Sequence, residues 1–260
     1  MMKRAKRPGR RRALDGEPEQ VLYHPHPMGP GTVARVGGGE ADHALRSLRL
    51  RSGDAVVLVD GRGTRFGGTA RIVGKELEVT VASREPVPRW PGRTLWLAAG
   101  VLRTGRMDIL VEKVSELGAT RFVPLQLKHC MARPGDHGAK AERWNRIAVE
   151  SLKQSKRSHL LEIGEVTGLA PFLDALPEKT AVVAADPAGR PPEALEGVTG
   201  QPLVLVVGPE GGLAEEERRL LAGRGAIWIA LGGNRLRTET AGVALLVAAL
   251  DRLGELAPGG

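Results

Sequence analysis

The stretch REPVPRWPGR, Arg84 to Arg93, separates two different hydrophobic rhythms, and that separation constrains the fold more than any other feature. Three prolines and no apolar period mark it as an interdomain linker. On its N-terminal side, from about Val21 to Pro88, β-like runs at Thr32–Val36, Ala55–Val59, Gly68–Val73 and Leu77–Val81 alternate with glycine turns. Their spacing predicts a small barrel or sandwich. With 260 residues, the chain has room for a second domain beyond the linker.

Beyond the linker, strands alternate with helices. Thr94–Ala99 is apolar and strand-like, and Met107, Leu110, Val111, Val114 and Leu117 then recur at helical spacing up to Gly118, a left-handed stop. Phe122–Leu125 follows, then a helix over about Lys140 to Lys156 with Trp144, Ile147, Ala148 and Leu152 on one side. Thr180–Ala184, Leu203–Val207 and Ala226–Leu231 read as buried strands, and about Thr238 to Leu253 as a closing helix. This alternation predicts an α/β domain with a mainly parallel sheet covered by helices.

Ligands of open α/β sheets bind beyond the carboxyl ends of strands, and two glycine-rich loops fall there. One is VVGPEGGLAEEE, Val206 to Glu217; the other opens LGGNRLRTETAGVALL, Leu231 to Leu246. Glycine lets a ligand lie against main chain, while Glu215, Glu216 and Glu217 favour the dipole of the following helix and disfavour a phosphate there. No Lys-Ser/Thr follows the first loop, so the pattern points to a backbone-bound uncharged or zwitterionic ligand. Taken singly, either loop could be a structural turn. VDGRGTRFGG, Val59 to Gly68, lacks dinucleotide spacing and reads as a hairpin.

The formal net charge of +8 is concentrated at the N-terminus, where residues 1–12 hold seven Lys and Arg and no acid. Such a block predicts a mobile arm able to follow a phosphate backbone, or a solvated extension without a role. HALRSLRLRSGD, His43 to Asp54, reads as a short amphipathic helix with Leu45 and Leu48 inward. Its His43, Arg46, Arg49 and Arg51 suggest phosphate contact, or simply a solvated face. No apolar run is long enough for a membrane span or signal peptide, so a cytoplasmic protein is expected. The single cysteine, Cys130, excludes an internal disulfide, and His24, His26, His129, Cys130 and His137 form no compact ligand set, so no metal is expected.

GPEGGL at 208–213, followed by LGGNRLRTETA at 231–241, resembles the RsmE-type 16S ribosomal RNA (uracil-N3)-methyltransferases of the SPOUT superfamily. RMDILVEKVSELG at 106–118, VPL at 123–125, RWNRIAVESLKQSKR at 143–157 and HALRSLRLRSGD add matches in the same order. The resemblance implies a basic disordered extension over 1–20, a PUA-like RNA-binding β-barrel over 21–88, and an α/β SPOUT domain over 89–260 with a deep trefoil knot in about 202–253. It also implies a homodimer that uses S-adenosylmethionine on 16S rRNA or the 30S subunit. The cofactor positions it carries over are Val207, Gly208, Gly211, Gly212, Leu231, Gly232, Leu236, Thr240 and Ala241, and it adds Arg106 and Arg157 to the expected RNA contacts. The chain departs from the family pattern at Asn234 and Arg235, where the family has arginine and isoleucine. It also departs at Ala214, where a capping Ser or Asp is common, at Lys153, where an acid is usual, and at Arg103, which replaces a lysine.

Methyl transfer from a sulfonium to uracil N3 needs alignment, removal of the N3 proton and a fixed cation for the charge developing on O2 or O4. Arg237 is the candidate cation and Glu239 the candidate proton acceptor. A structural ion pair for Arg237 and a helix-capping role for Glu239 are the alternatives. A ribose 2′-O-methyltransferase, or a ribosome-assembly protein that binds RNA without catalysis, also stays open.

Overall fold

The computed structural model describes residues 20–89, 94–131, 137–198 and 202–256; the basic arm at 1–12 lies outside them. The chain divides into two units, one comprising Met1–Asp60 with Thr64–Pro86 and the other Gly61–Gly63 with Val87–Gly260.

The first unit is a five-stranded sheet in the order β1-β3-β4-β5-β2. Its strands are β1 (Val21–Tyr23), β2 (Val33–Val36), β3 (Ala55–Val59), β4 (Thr64–Val73) and β5 (Glu76–Pro86). Burial in β5 alternates, with Leu77, Val79 and Val81 inward and joined by Leu22, Leu58 and Phe66, as a sheet with one wet face requires. β3 and β4 form the hairpin expected of VDGRGTRFGG, closed where Asp60 Oδ1 accepts the Thr64 amide at 2.9 Å. β4 and β5 turn at Gly74, whose φ of 64° suits glycine.

Two local expectations change here. Arg84–Pro86 is the end of β5, paired to β4, and not linker. The helix expected from His43 to Asp54 instead starts at Gly38 as α1 (Gly38–Asp42), widens into a π turn at His43–Ser47 and stops. Arg49 adopts a left-handed φ of 55°, and Asp54 Oδ2 accepts the Arg51 amide at 2.8 Å, so a local turn replaces the helical bonds.

The second unit is a six-stranded sheet, β11-β9-β10-β6-β7-β8, in which every paired strand is parallel. Its elements in chain order are β6 (Leu95–Gly100), α2 (Thr104–Glu116), β7 (Arg121–Leu125), α3 (His137–Gln154), β8 (Glu162–Ile163), α4 (Leu169–Asp174), β9 (Ala181–Arg190), β10 (Leu203–Val207), α5 (Glu215–Gly223), β11 (Ile227–Ile229) and α6 (Thr238–Arg252). All five residues of β10 are buried, which explains its unbroken apolar run.

The pleat sends Leu203 and Leu205 to one face, with Leu97, Met107, Leu110, Trp144, Leu245 and Leu246 of β6, α2, α3 and α6. Val204 and Val206 go to the other, with Phe172 of α4 and Leu221 of α5. α6 lies close on α2: a Cβ at Gly242 would stand 2.9 Å from Leu110 Cδ1. β1, β8 and α4 are too short to show a period in sequence.

Candidate active site

β9, β10 and β11 are neighbours on one side of the sheet, so the segments leaving their carboxyl ends converge. Around them is a cavity of about 660 Å³, within the usual size of small-molecule sites. Its walls are Ala185–Pro187 within β9, Val207–Leu213 from the end of β10 onward, Leu231–Leu236 after β11, and Arg218, Ile229, Thr238 and Ala241. The two glycine loops therefore share one cavity.

The first loop is tightly fixed. Gly212, at φ 77°, donates its amide to Pro209 O at 2.8 Å, closing a turn that favours glycine. Gly211 passes so near the segment after β7 that a Cβ there would lie 2.7 Å from His129 Cβ. His129 Nδ1 is 3.2 Å from the Gly212 carbonyl. Behind the loop, buried Glu217 accepts the Ala214 amide through Oε2 and the Lys128 amide through Oε1, both at 2.8 Å. Ala214 has no side-chain oxygen to cap α5, but Glu217 still satisfies the amide of the N-cap residue, half of a capping box.

The second loop has fewer ties. Gly232 is at φ 108° with open space where a Cβ would be, and Gly232, Gly233, Asn234 and Arg235 are exposed. Arg235 Nη2 donates to the Glu210 carbonyl at 3.1 Å, so one departure from the family pattern links the two loops. The other, Asn234, lines the cavity.

Of the expected cofactor positions, Val207, Gly208, Gly211, Gly212, Leu231, Gly232, Leu236 and Ala241 line the cavity; Thr240, exposed on the first turn of α6, does not. Arg237 is exposed as the N-cap of α6 beside the cavity-lining Leu236 and Thr238, and no ion pair holds it among the described residues. Glu239, outside the cavity lining, is largely buried, with Oε1 3.7 Å from Arg106 Nε.

Arg106 also reaches Glu210, its Nη1 3.2 Å from Oε1. Thus the residue expected on the RNA surface lies between two carboxylates. Arg157, partly buried, has its pKa lowered to about 10, chiefly by burial and then by the charge of Arg89, and stays cationic at neutral pH. Arg46, Arg49 and Arg51 are exposed, Arg46 alongside Asp42 at 3.6 Å, and His43 is partly covered. Lys153 is buried against Glu150 at 2.9 Å, and Arg103 is the N-cap of α2.

Three charged cavity residues were not singled out from sequence. Asp186 is buried, accepts the Ala188 amide at 2.8 Å and pairs with Arg218, whose guanidinium lies 4.9 Å from the centre of the Trp228 ring. Its position just after the apolar run AVVAA was the available signal. The third, Glu210, sits inside the quoted glycine motif, where nothing local distinguishes it. Among the described residues, no group of three or more His, Cys, Asp or Glu is arranged to hold a metal. Among the described residues, no helix is long and apolar enough to cross a membrane.

Comparison with known proteins places this site in a family. Residues 88–250 match the RNA methyltransferase domain family, and residues 36–76 match the RNA methyltransferase PUA domain. The ribosomal RNA small subunit methyltransferase E of Mycobacterium tuberculosis is 30% identical over 229 residues, covering 84% of this chain and 86% of its own. The protein of the same name from Bacillus subtilis is 28% identical over 79% of this chain and 85% of its own. A Legionella pneumophila methyltransferase solved with bound cofactor SAM superposes with a TM-score of 0.81 at 26% identity, covering 89% of this chain and 96% of that one. With its PUA domain ahead of a parallel-sheet α/β domain whose glycine loops meet at one cavity, the chain belongs to the ribosomal RNA small subunit methyltransferase E family.

Proposed function

We propose that this protein transfers a methyl group from S-adenosylmethionine to N3 of a uridine in 16S rRNA of the small ribosomal subunit, working in the cytoplasm as a homodimer. The observation that carries the reading is the shared cavity: two loops rich in glycine, from strands on the same side of the sheet, enclose one space, with an arginine beside it that has no ion-pair partner among the described residues. The residues suit the cofactor. Val207, Ile229, Leu231 and Leu236 offer apolar wall to an adenosyl group, and exposed main chain at Gly211, Gly212 and Gly232 offers close approach. When bound, S-adenosylmethionine supplies a methyl group already activated on sulfur.

The protein then has to align uracil N3 with that methyl, accept the N3 proton and stabilise charge on the uracil oxygens. Arg237 is the cation for the last task, because no acid neutralises it among the described residues. The proton acceptor is one of the carboxylates held by Arg106, Glu210 or Glu239. His43, Arg46, Arg49, Arg51 and Arg157 are the proposed RNA contacts.

The test is transfer of labelled methyl from S-adenosylmethionine to 30S subunits lacking the modification, followed by mapping. Label on uracil N3 supports the reading. Label on a ribose 2′-hydroxyl replaces the target atom, and failure to bind S-adenosylmethionine removes the enzyme class.

A further inference from the structure

A second, smaller hollow adjoins the large cavity. Where β9 pairs with β11, Trp228 stands opposite Ala184 but Ile229 stands opposite Arg190, so Ala185–Gly189 bulge out of β9. Asp186 holds the bulge, its Oδ1 accepting the Ala188 amide at 2.8 Å. Gly189 presses it onto β11, where a Cβ would lie 2.6 Å from the Ile229 nitrogen. Ala185 and Pro187 line the large cavity, whereas Ala188, Gly189 and Arg190 line a hollow of about 340 Å³. Asp186 and its partner Arg218 line both, so one ion pair forms the wall between them.

The hollow combines a flat ring with positive charge. Trp228, partly buried, lines it, and the Arg218 guanidinium lies 4.9 Å from the centre of that ring while paired with Asp186. A guanidinium fixed in this way extends the aromatic surface, because a nucleobase stacks on an arginine plane as well as on a ring. Arg190 differs: it is exposed, and its side chain has no hydrogen bond or ion pair among the described residues. Two arginines against one aspartate leave the lining net positive. Glu215, which also acts on Arg218, is outside that lining and pairs with Arg219. A stacking surface beside a free guanidinium fits a nucleotide, whose base stacks and whose phosphate pairs, and the volume suits one small ligand.

We propose that this hollow takes one nucleotide of the RNA substrate beside the target uridine, with its base against Trp228 and Arg218 and its phosphate on Arg190. The inference rests on the RNA methyl-transfer reading above and adds a subsite to it. A nucleotide seated there is one ion pair away from the large cavity, so the neighbouring base in the strand can turn into that cavity. Holding the flanking nucleotide supplies alignment, which transfer to a weakly nucleophilic ring nitrogen requires.

The experiment uses the full-length protein and 30S subunits lacking the modification. Filter binding over a range of salt concentrations gives 30S affinity, and calorimetry gives affinity for S-adenosylhomocysteine. Uridine 5′-monophosphate and adenosine 5′-monophosphate are the free-nucleotide probes. Arg190→Ala should weaken 30S binding about tenfold and reduce the slope of log affinity against log salt by about one, the mark of a lost phosphate contact. Trp228→Leu should weaken 30S binding about fivefold or more with the slope unchanged, and Trp228→Phe should lose less because a ring remains. All three should keep S-adenosylhomocysteine affinity within about threefold, since neither residue lines the large cavity.

Arg190 is exposed, so its replacement carries the test even where Trp228→Leu fails to fold. Unchanged 30S affinity in Arg190→Ala, or in folded Trp228→Leu, overturns the assignment. Loss of S-adenosylhomocysteine affinity with 30S binding intact also overturns it, because the hollow then belongs to the cofactor. If a monophosphate binds the parent and loses affinity in Arg190→Ala while 30S binding does not change, the ligand is a free nucleotide and the RNA assignment falls. A parent protein that binds 30S subunits without methylating them defeats the functional reading instead, and the binding measurements still decide the subsite.

Discussion

The two loops that wall the cavity are built to different standards of rigidity. The loop after β10 is fixed from several directions: Glu210 to Arg106, Gly211 against His129, Gly212 to Pro209, and Glu217 to two amides behind it. The loop after β11 has one tie recorded to the first loop, from Arg235, and much of it is exposed. A rigid wall and an open one suit a site that must hold a small cofactor and admit an RNA base. Preorganisation belongs where the ligand is constant, and access belongs where the substrate arrives.

The largest effect is expected at the open loop. Arg237→Ala should leave both ligands bound while the single-turnover rate falls by about 10²-fold, or about 2.7 kcal/mol, as for loss of one preorganised donor. Arg237→Lys should recover little, since a point charge replaces a planar fork. A variant without the Arg237 side chain that turns over normally on the same RNA would return this residue to the role of a helix terminus.

Next comes the support of the rigid loop. Glu217→Ala leaves the Ala214 and Lys128 amides without their charged acceptor and should cost about 2 to 3 kcal/mol in urea unfolding. If the cost is below about 0.5 kcal/mol, the first loop is not fixed from behind and the contrast between the loops weakens.

A smaller pair of variants compares the loops directly. Gly211→Ala forces a Cβ into His129, so it should lower stability by about 1 to 3 kcal/mol and weaken cofactor binding. Gly232→Ala meets no neighbour and costs only the strain of positive φ, about 1 to 2 kcal/mol. Its calorimetric signature should be weaker cofactor binding with a largely intact fold. Equal loss of stability in both would show the loops to be alike.

The smallest effect sharpens the same point. Ala214→Ser adds the missing side-chain cap to α5 and should stabilise by about 1 kcal/mol or less in the same urea titration, because Glu217 already supplies half of the motif. An increase well above that would mean that Glu217 contributes little as a cap.

Much of this molecule could be read from local pattern. β10 coincides with the apolar run Leu203–Val207, α6 begins at Thr238 as its periodicity indicates, and both glycine loops fall at carboxyl ends of strands, because burial of a strand or helix face imposes a repeat that neighbouring residues display. What local pattern could not contain was partnership at long range. Arg106 and Glu210 are 104 positions apart, and no periodicity joins a helix after β6 to a loop after β10. Nor does spacing tell that Ala241 lines the cavity while Thr240, one residue earlier on the same helix, does not. The strand order that sets β9, β10 and β11 side by side decided which charges meet, since an ion pair depends on where two side chains arrive in space and leaves no mark on the residues beside either of them.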